Sequence, residues 1–260
     1  MRYLRIFLLQ FQEVLEDRSR ITVWFLLAAV TPLILLLFWR GASHINGWTS
    51  AEITSYYLFA IAIFAGTMCH HEEKVGITDI QAGGLTMYLL KPFSYIKLLF
   101  LNEIVYRMLQ GTLGFVLLGC LVLIFPNIFA FTHAFDIFFV SCLIFISAFM
   151  LTFIFKTVVG LLGFWMTETR GAFEAVSVLI VIFSGVLMPL VFLPSWMQSL
   201  TMVLPFSYML YFPVIAFEGK LTMLQCGQVL LGQLIWMAAL YVFYRILWKY
   251  GIEQYTGVGQ

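Results

Sequence analysis

Long uncharged stretches fix what this chain can become. Ile21–Trp39, Ile53–His71, Met108 up to Asp136, Ile137–Phe155 and Leu221–Tyr244 each run without a charged side chain. About 20 mostly apolar residues in a helix cross the hydrocarbon core of a bilayer. Only 10% of the 260 residues are charged and 62% are hydrophobic, against roughly 25% and 45–50% in soluble domains. Too little polar surface remains to face water, so a soluble globule and a disordered chain are both excluded. Lys and Arg number 14 and Asp and Glu 13, a balance that leaves no footprint for nucleic acid. The reading is an all-α integral membrane protein, a single transmembrane domain over residues 1–260, in contact with lipid.

One further uncharged run, Ala175–Phe217, is about twice the length of a span and holds Pro189, Pro194, Pro205 and Pro213. Proline removes a backbone donor and breaks a helix. The run is therefore expected to divide near Pro189, giving a fifth span and then short re-entrant helices over 189–220 on the outer side, their broken backbone covered by protein or water. That makes six spans with both termini on one side. With those termini inside, every Lys and Arg except Arg40 and Lys220 lies on the inner side, as the positive-inside rule requires. Both termini are expected to be cytoplasmic, in the cell (cytoplasmic or inner) membrane.

Ahead of the first span, Leu4, Phe7, Leu8, Phe11, Val14 and Leu15 recur at three- and four-residue steps. Arg2, Arg5, Gln12, Glu13, Glu16 and Asp17 take the other face. Residues 1–20 are expected to lie as an amphipathic helix in the interface, either bearing on a partner or simply anchoring the topology. Ile6–Leu9 is too short for the core of a signal peptide.

Chemistry-bearing motifs are scarce. GxxxxGK[ST], GxSxG and HExxH do not occur, so no phosphate-cradling loop or catalytic elbow is expected. The charge-free runs leave no coupling-ion site at membrane depth. His70 and His71 point about 100° apart on a helix and cannot chelate one ion together. A polar cap on span two is the expected role of His70–Glu73, and no metal site is expected. Glu103 and Arg107, spaced i, i+4, should pair on a helix surface; Lys156 and Glu174 should snorkel at helix ends. Gly111, Gly114, Gly119, Gly160 and Gly163 suit close helix packing. Cys69, Cys120, Cys142 and Cys226 form no CxxC pair, so neither a disulfide framework nor a zinc site is expected of them.

The longest inner loop, Glu72 to Arg107, centres on Thr78-Asp79-Ile80-Gln81-Ala82-Gly83-Gly84-Leu85-Thr86-Met87-Tyr88-Leu89-Leu90-Lys91-Pro92. Thr78 or Asp79 can cap a short helix, Gly83-Gly84 can turn it and Pro92 can end it. Ile80, Leu85, Met87, Tyr88 and Leu89 form an apolar knob of the kind that marks a docking surface or packs on the spans' own ends.

Gly83-Gly84-Leu85 through Lys91-Pro92 resembles the loop signature of bacterial ATP-binding-cassette (ABC) permeases of the type-2 exporter class. Pro189, Pro194-Ser195-Trp196 and Leu204-Pro205-Phe206 follow that family's pattern after span five. Gly251–Gly259 is similar to its closing Tyr-Ser-Gly motif, with Thr256 in the serine's place. The resemblance implies a cytoplasmic coupling helix within 79–92, seated on separate ABC ATPase subunits that bind ATP and Mg. It also implies a second permease chain, identical or homologous. Asp79, Gln81, Gly83, Gly84, Met87, Tyr88, Lys91 and Pro92 are the expected coupling residues; Tyr56, Tyr57, Phe64 and Ser184 are the expected pathway wall. No catalytic residue, and no cofactor in this chain, is expected. An aromatic, charge-free interior favours an amphipathic or lipid-like cargo. The competing readings are a multi-pass lipid-modifying enzyme, which would act without an ATPase, and a non-transporting membrane scaffold.

Overall fold

The computed structural model describes residues 2–16, 18–40, 47–124 and 135–255. Among them every regular element is helical: α1 (Arg2–Glu16), α2 (Arg18–Arg40), α3 (Ser50–Thr67), a wide π-type turn (Lys74–Gln81), α4 (Leu85–Leu89), α5 (Tyr95–Ile124), α6 (Phe135–Gly160), α7 (Arg170–Phe183), α8 (Ser195–Val203), α9 (Phe206–Met209), α10 (Tyr211–Phe217) and α11 (Met223–Gln254).

Among the described residues, three continuous helices, Tyr95–Ile124, Ile137–Phe164 and Met223–Gln254, are long and apolar enough to cross a membrane. The 30 residues of α5 extend about 45 Å, well beyond a hydrocarbon core of about 30 Å. The helix therefore continues past the charge-free run and carries Glu103 and Arg107 on its first half. At the centre stands α3, 18 residues whose start is fixed by a capping box between Thr49 and Glu52. From Ile53 to Thr67 it is buried almost all round, as a helix apolar on every face must be. It packs between α2 and α5, and α6 lies between α11 and α3. Gly66 faces Gly111, and Gly114 lies against Ala62, with room for no further side chain. Gly119 meets nothing, so it does not belong to that seam.

The amphipathic pattern of the first residues folds as α1, whose Val14 is buried against Val105 of α5 beside Phe7 and Phe11. The remaining leucines, Leu4, Leu8, Leu9 and Leu15, are exposed.

The fifth apolar stretch departs from expectation. α7 has 14 residues, about 21 Å, and stops at Phe183, well ahead of Pro189. The reason is tertiary. Gly185 takes φ +91°, a left-handed conformation open to glycine, and the carbonyls freed by the break are captured from neighbouring helices. Tyr56 donates to Gly185 O (2.7 Å), while Tyr57 (3.0 Å) and Trp39 (3.1 Å) both donate to Leu187 O. Beyond it, 189–220 does form short helices, as the prolines predict. Gln198 donates to Val191 O and Leu193 O. Gln233 of α11 donates to Ile144 O and Tyr208 O, and Trp236 to Val203 O. Broken backbone is thus covered by protein.

At the end of the bundle that carries the 68–94 loop, backbone meets backbone. A Cβ on Gly163 would stand 2.7 Å from Gly76 O and 2.8 Å from Gly76 Cα. Neither backbone atom can swing aside. Gly163→Ala should therefore cost roughly 1–3 kcal/mol, read as a lowered melting temperature in detergent. Gly119→Ala, with nothing within 4 Å, should be neutral or slightly stabilising. Equal melting temperatures for the two variants would refute the close contact.

Candidate functional site

The π-type turn and α4 form a loop held on three sides. Asp79, nearly fully buried, accepts from Lys74 Nζ (2.9 Å) and from Tyr95 OH (2.7 Å). Tyr95 stacks on Trp248 of α11 at 5.3 Å and meets Tyr88 edge-on. Lys74 also donates to Tyr88 OH at 3.2 Å. Burial works against its charge, but the Asp79 carboxylate and Tyr88 hydroxyl prevail, and the Lys74 pKa is raised. Gln81 donates to Met166 O (2.7 Å), tying the turn to the chain after α6. Tyr255 completes the clamp. Its hydroxyl donates to Gly83 O (2.8 Å) and accepts from Thr86 N (3.1 Å). Gly83 needs its φ of +80°, and a Cβ on Gly84 would stand 2.8 Å from Thr78 O.

The eight loop residues expected to couple therefore divide. Asp79, Gln81, Gly83 and Gly84 shape and lock the loop; Asp79 faces inward, its carboxylate taken by Lys74 and Tyr95. Thr78 and Asp79 lie inside the π-type turn and do not cap α4. Ile80 and Leu85, expected on the knob, are core. What faces outward is Met87 (63% exposed), Leu89 (46%) and Leu90 (79%), flanked by exposed Lys91 and Pro92. Tyr88 is half-buried, with the Lys74 and Lys91 ammonium groups over its ring. Of the closing motif, Gly251–Tyr255 lies among the described residues and 256–259 outside them.

Behind the loop, side chains expected at surfaces turn inward. Lys156 is 2% exposed and ion-paired with Glu72, so it does not snorkel. Glu103 and Arg107 do pair, at 3.6 Å, but nearly buried, and Arg107 also donates to Ala65 O (3.3 Å). Glu72 and His71, in the connection between α3 and the π-type turn, reach under the bundle to α6 and α5. Their neighbours open onto a cavity of about 850 Å³ lined by α1, α2, α5, α7 and the loop. Its polar wall includes Glu13, His70, Glu73, Lys74, Asn102, Glu103, Arg107, Gln110 and Arg170. Phe64 lines it too. Tyr56, Tyr57 and Ser184 do not: they are fully buried, the tyrosines occupied with the α7 break. Sequence reasoning placed Tyr255 in the closing motif but missed its bonds to Gly83 and Thr86. It also missed the inward turn of Glu72 and Lys156, whose signal was charge beside apolar runs.

A second buried charge lies at the opposite end, between α10 and α11 and outside the spanning helices. Glu218 is fully buried and meets Lys220 Nζ at 3.2 Å, with Glu52, Ser55, Tyr56 and Tyr211 nearby. The Lys220 ammonium sits 3.8 Å over the Trp48 ring. Burial raises the Glu218 pKa to about 7, Lys220 opposing. The folded state then binds more protons than the unfolded one between the ordinary carboxylate range and pH ~7, so stability falls as pH rises through that window. The loss should reach roughly 3 kcal/mol above it. Glu218→Gln should flatten this fall in a melting series from pH 5 to 8; an unchanged slope would place the titration elsewhere.

A family model described as "ABC-2 family transporter protein" matches residues 25–259. No curated protein matches the chain.

Proposed function

We propose that this chain, which belongs to the ABC-2 transporter family, is one half of the membrane pathway of an exporter. Family membership makes it a membrane-embedded permease subunit that associates with an ABC ATPase. The finer reading adds a second permease chain, identical or homologous, six spans, cytoplasmic termini and an amphipathic or lipid-like cargo. ATP and Mg would be bound by the partner. This chain carries no phosphate-cradling motif of its own.

The observation that carries the proposal is the Met87–Leu90 knob. Apolar side chains are held exposed by a loop fixed through Asp79, Gln81 and Tyr255. Such a lever transmits a push because its footing cannot yield. A cavity lined by both charged and apolar side chains at the same end suits a cargo with a polar head and an apolar body. Phe64, which lines it, is the pathway residue this reading keeps.

Co-expression with the ATPase should yield a complex of two permease chains with ATPase subunits, transporting in vesicles. A single chain that transports alone would defeat the proposal, as would labelling of a cysteine placed at residue 260 from outside intact cells. Chemical turnover of a lipid by the purified chain would favour the enzyme reading.

A further inference from the structure

Where α3 ends, the chain brings three metal-ligating atoms of different kinds together. Cys69 Sγ, an imidazole nitrogen of His71 and a Glu103 carboxylate oxygen all lie within 4.8 Å of one another, and it is Nδ1 that faces Glu103. Cys69 and His71 are buried and Glu103 almost so. No two of them share a helical turn in the sense of an i, i+4 pair. The short connection between α3 and the π-type turn sets the first two beneath α5, which supplies the third.

Thr157 Oγ1 lies 2.9 Å from His71 Nε2 and 2.8 Å from Phe153 O. With the hydroxyl proton on Phe153 O, the oxygen accepts from Nε2–H, and that tautomer leaves Nδ1 with a bare lone pair. Nδ1 is buried without a hydrogen-bond partner, and Glu103 Oε1 faces it at 3.8 Å. Two acceptors facing each other in a buried place repel unless something positive lies between them. A backing hydrogen bond on the far nitrogen is how metal-ligating histidines are held in orientation.

We propose that Cys69, His71 and Glu103 bind a zinc-class divalent cation, with a fourth position open to the cavity. One sulfur, one imidazole nitrogen and one carboxylate suit a borderline ion better than calcium or magnesium, which take oxygen ligands. On a zinc tetrahedron a nitrogen and an oxygen ligand stand roughly 3.3–3.5 Å apart. The nitrogen–oxygen edge measures 3.8 Å and the three atoms lie within 4.8 Å of one another, so binding draws the ligands together. Cys69 would bind as thiolate, losing its proton to solvent, so that thiolate and carboxylate together balance the ion's two charges. Arg107 Nε, 3.6 Å from Glu103 Oε2, orients the carboxylate from behind. His71 and Glu103 line the cavity, whose water supplies the fourth ligand; Cys69 closes the back. The ion would pin the root of the loop to α5.

The test uses the full chain, purified, stripped with chelator and titrated with cobalt(II) and then zinc(II). Cobalt should give one equivalent of a thiolate charge-transfer band with the visible bands of a four-coordinate site, and zinc should bleach both. Cys69→Ser, close to isosteric, should abolish the charge-transfer band, and His71→Ala should weaken affinity at least a hundredfold. Cys226→Ala, whose cysteine is buried elsewhere, should change nothing. No band in the parent chain would mean an imidazolium paired with Glu103 and would overturn the proposal. So would a band that survives Cys69→Ser, or one that Cys226→Ala removes. If His71→Ala fails to insert, Cys69→Ser decides alone.

Discussion

Leu90→Asp should detach the partner ATPase and abolish transport while leaving the membrane bundle as stable as before. Leu90 is 79% exposed, so its side chain contributes little to this chain's own packing. An apolar anchor seated in a partner's groove contributes about 2 kcal/mol or more, and a carboxylate forced into that groove adds its desolvation. Co-purification of the ATPase should therefore weaken at least about thirtyfold, with an unchanged melting temperature for the permease. Met87→Asp should behave alike. Tyr88→Ala and Gly84→Val are poorer probes. Tyr88 holds Lys74 and Tyr95, and a side chain on Gly84 would collide with Thr78 O. Either change would loosen the loop whether or not an ATPase docks there. Full transport by Leu90→Asp at equal membrane levels would move the coupling surface elsewhere, with α1 and the 157–171 segment next in line.

The largest effect on stability is expected at Lys156. Lys156→Met removes one member of a fully buried ion pair and leaves Glu72 charged, its Oε2 already without a hydrogen-bond partner. Breaking a buried pair in this way costs about 3–5 kcal/mol, whereas replacing both members by apolar or neutral groups of similar volume is often tolerated. Lys156→Met should therefore insert poorly or melt far below the parent chain, and Lys156→Met with Glu72→Gln should recover most of the loss. A single variant as stable as the double would show that water reaches the pair. Glu103, expected to pair with Arg107 on a helix surface, instead joins His71 and Arg107 at the cavity wall, and its replacement should be felt.

Charge-free runs and the spacing of apolar residues indicated the long helices, the amphipathic first helix and the breaks after Pro189, because those patterns are local. The end of α7 at Phe183 and the π-type turn were not legible in them. The cost of exposing backbone or charge to lipid is decided within one turn or one span. The sequence also showed that Gly160 and Gly163 permit close approach, though not that Gly76 meets them. Tertiary structure decided everything that joins distant residues. α7 stops where Tyr56, Tyr57 and Trp39 take the carbonyls that its break releases. Asp79 faces inward because Lys74 and Tyr95 neutralise it there. Lys156 finds Glu72, 84 positions earlier in the chain, and Tyr255 reaches Gly83 from the far end of the chain. A buried charge or freed carbonyl announces in the sequence that it must have a partner. Which partner it takes depends on how helices cross, and that is set by packing summed over the whole bundle.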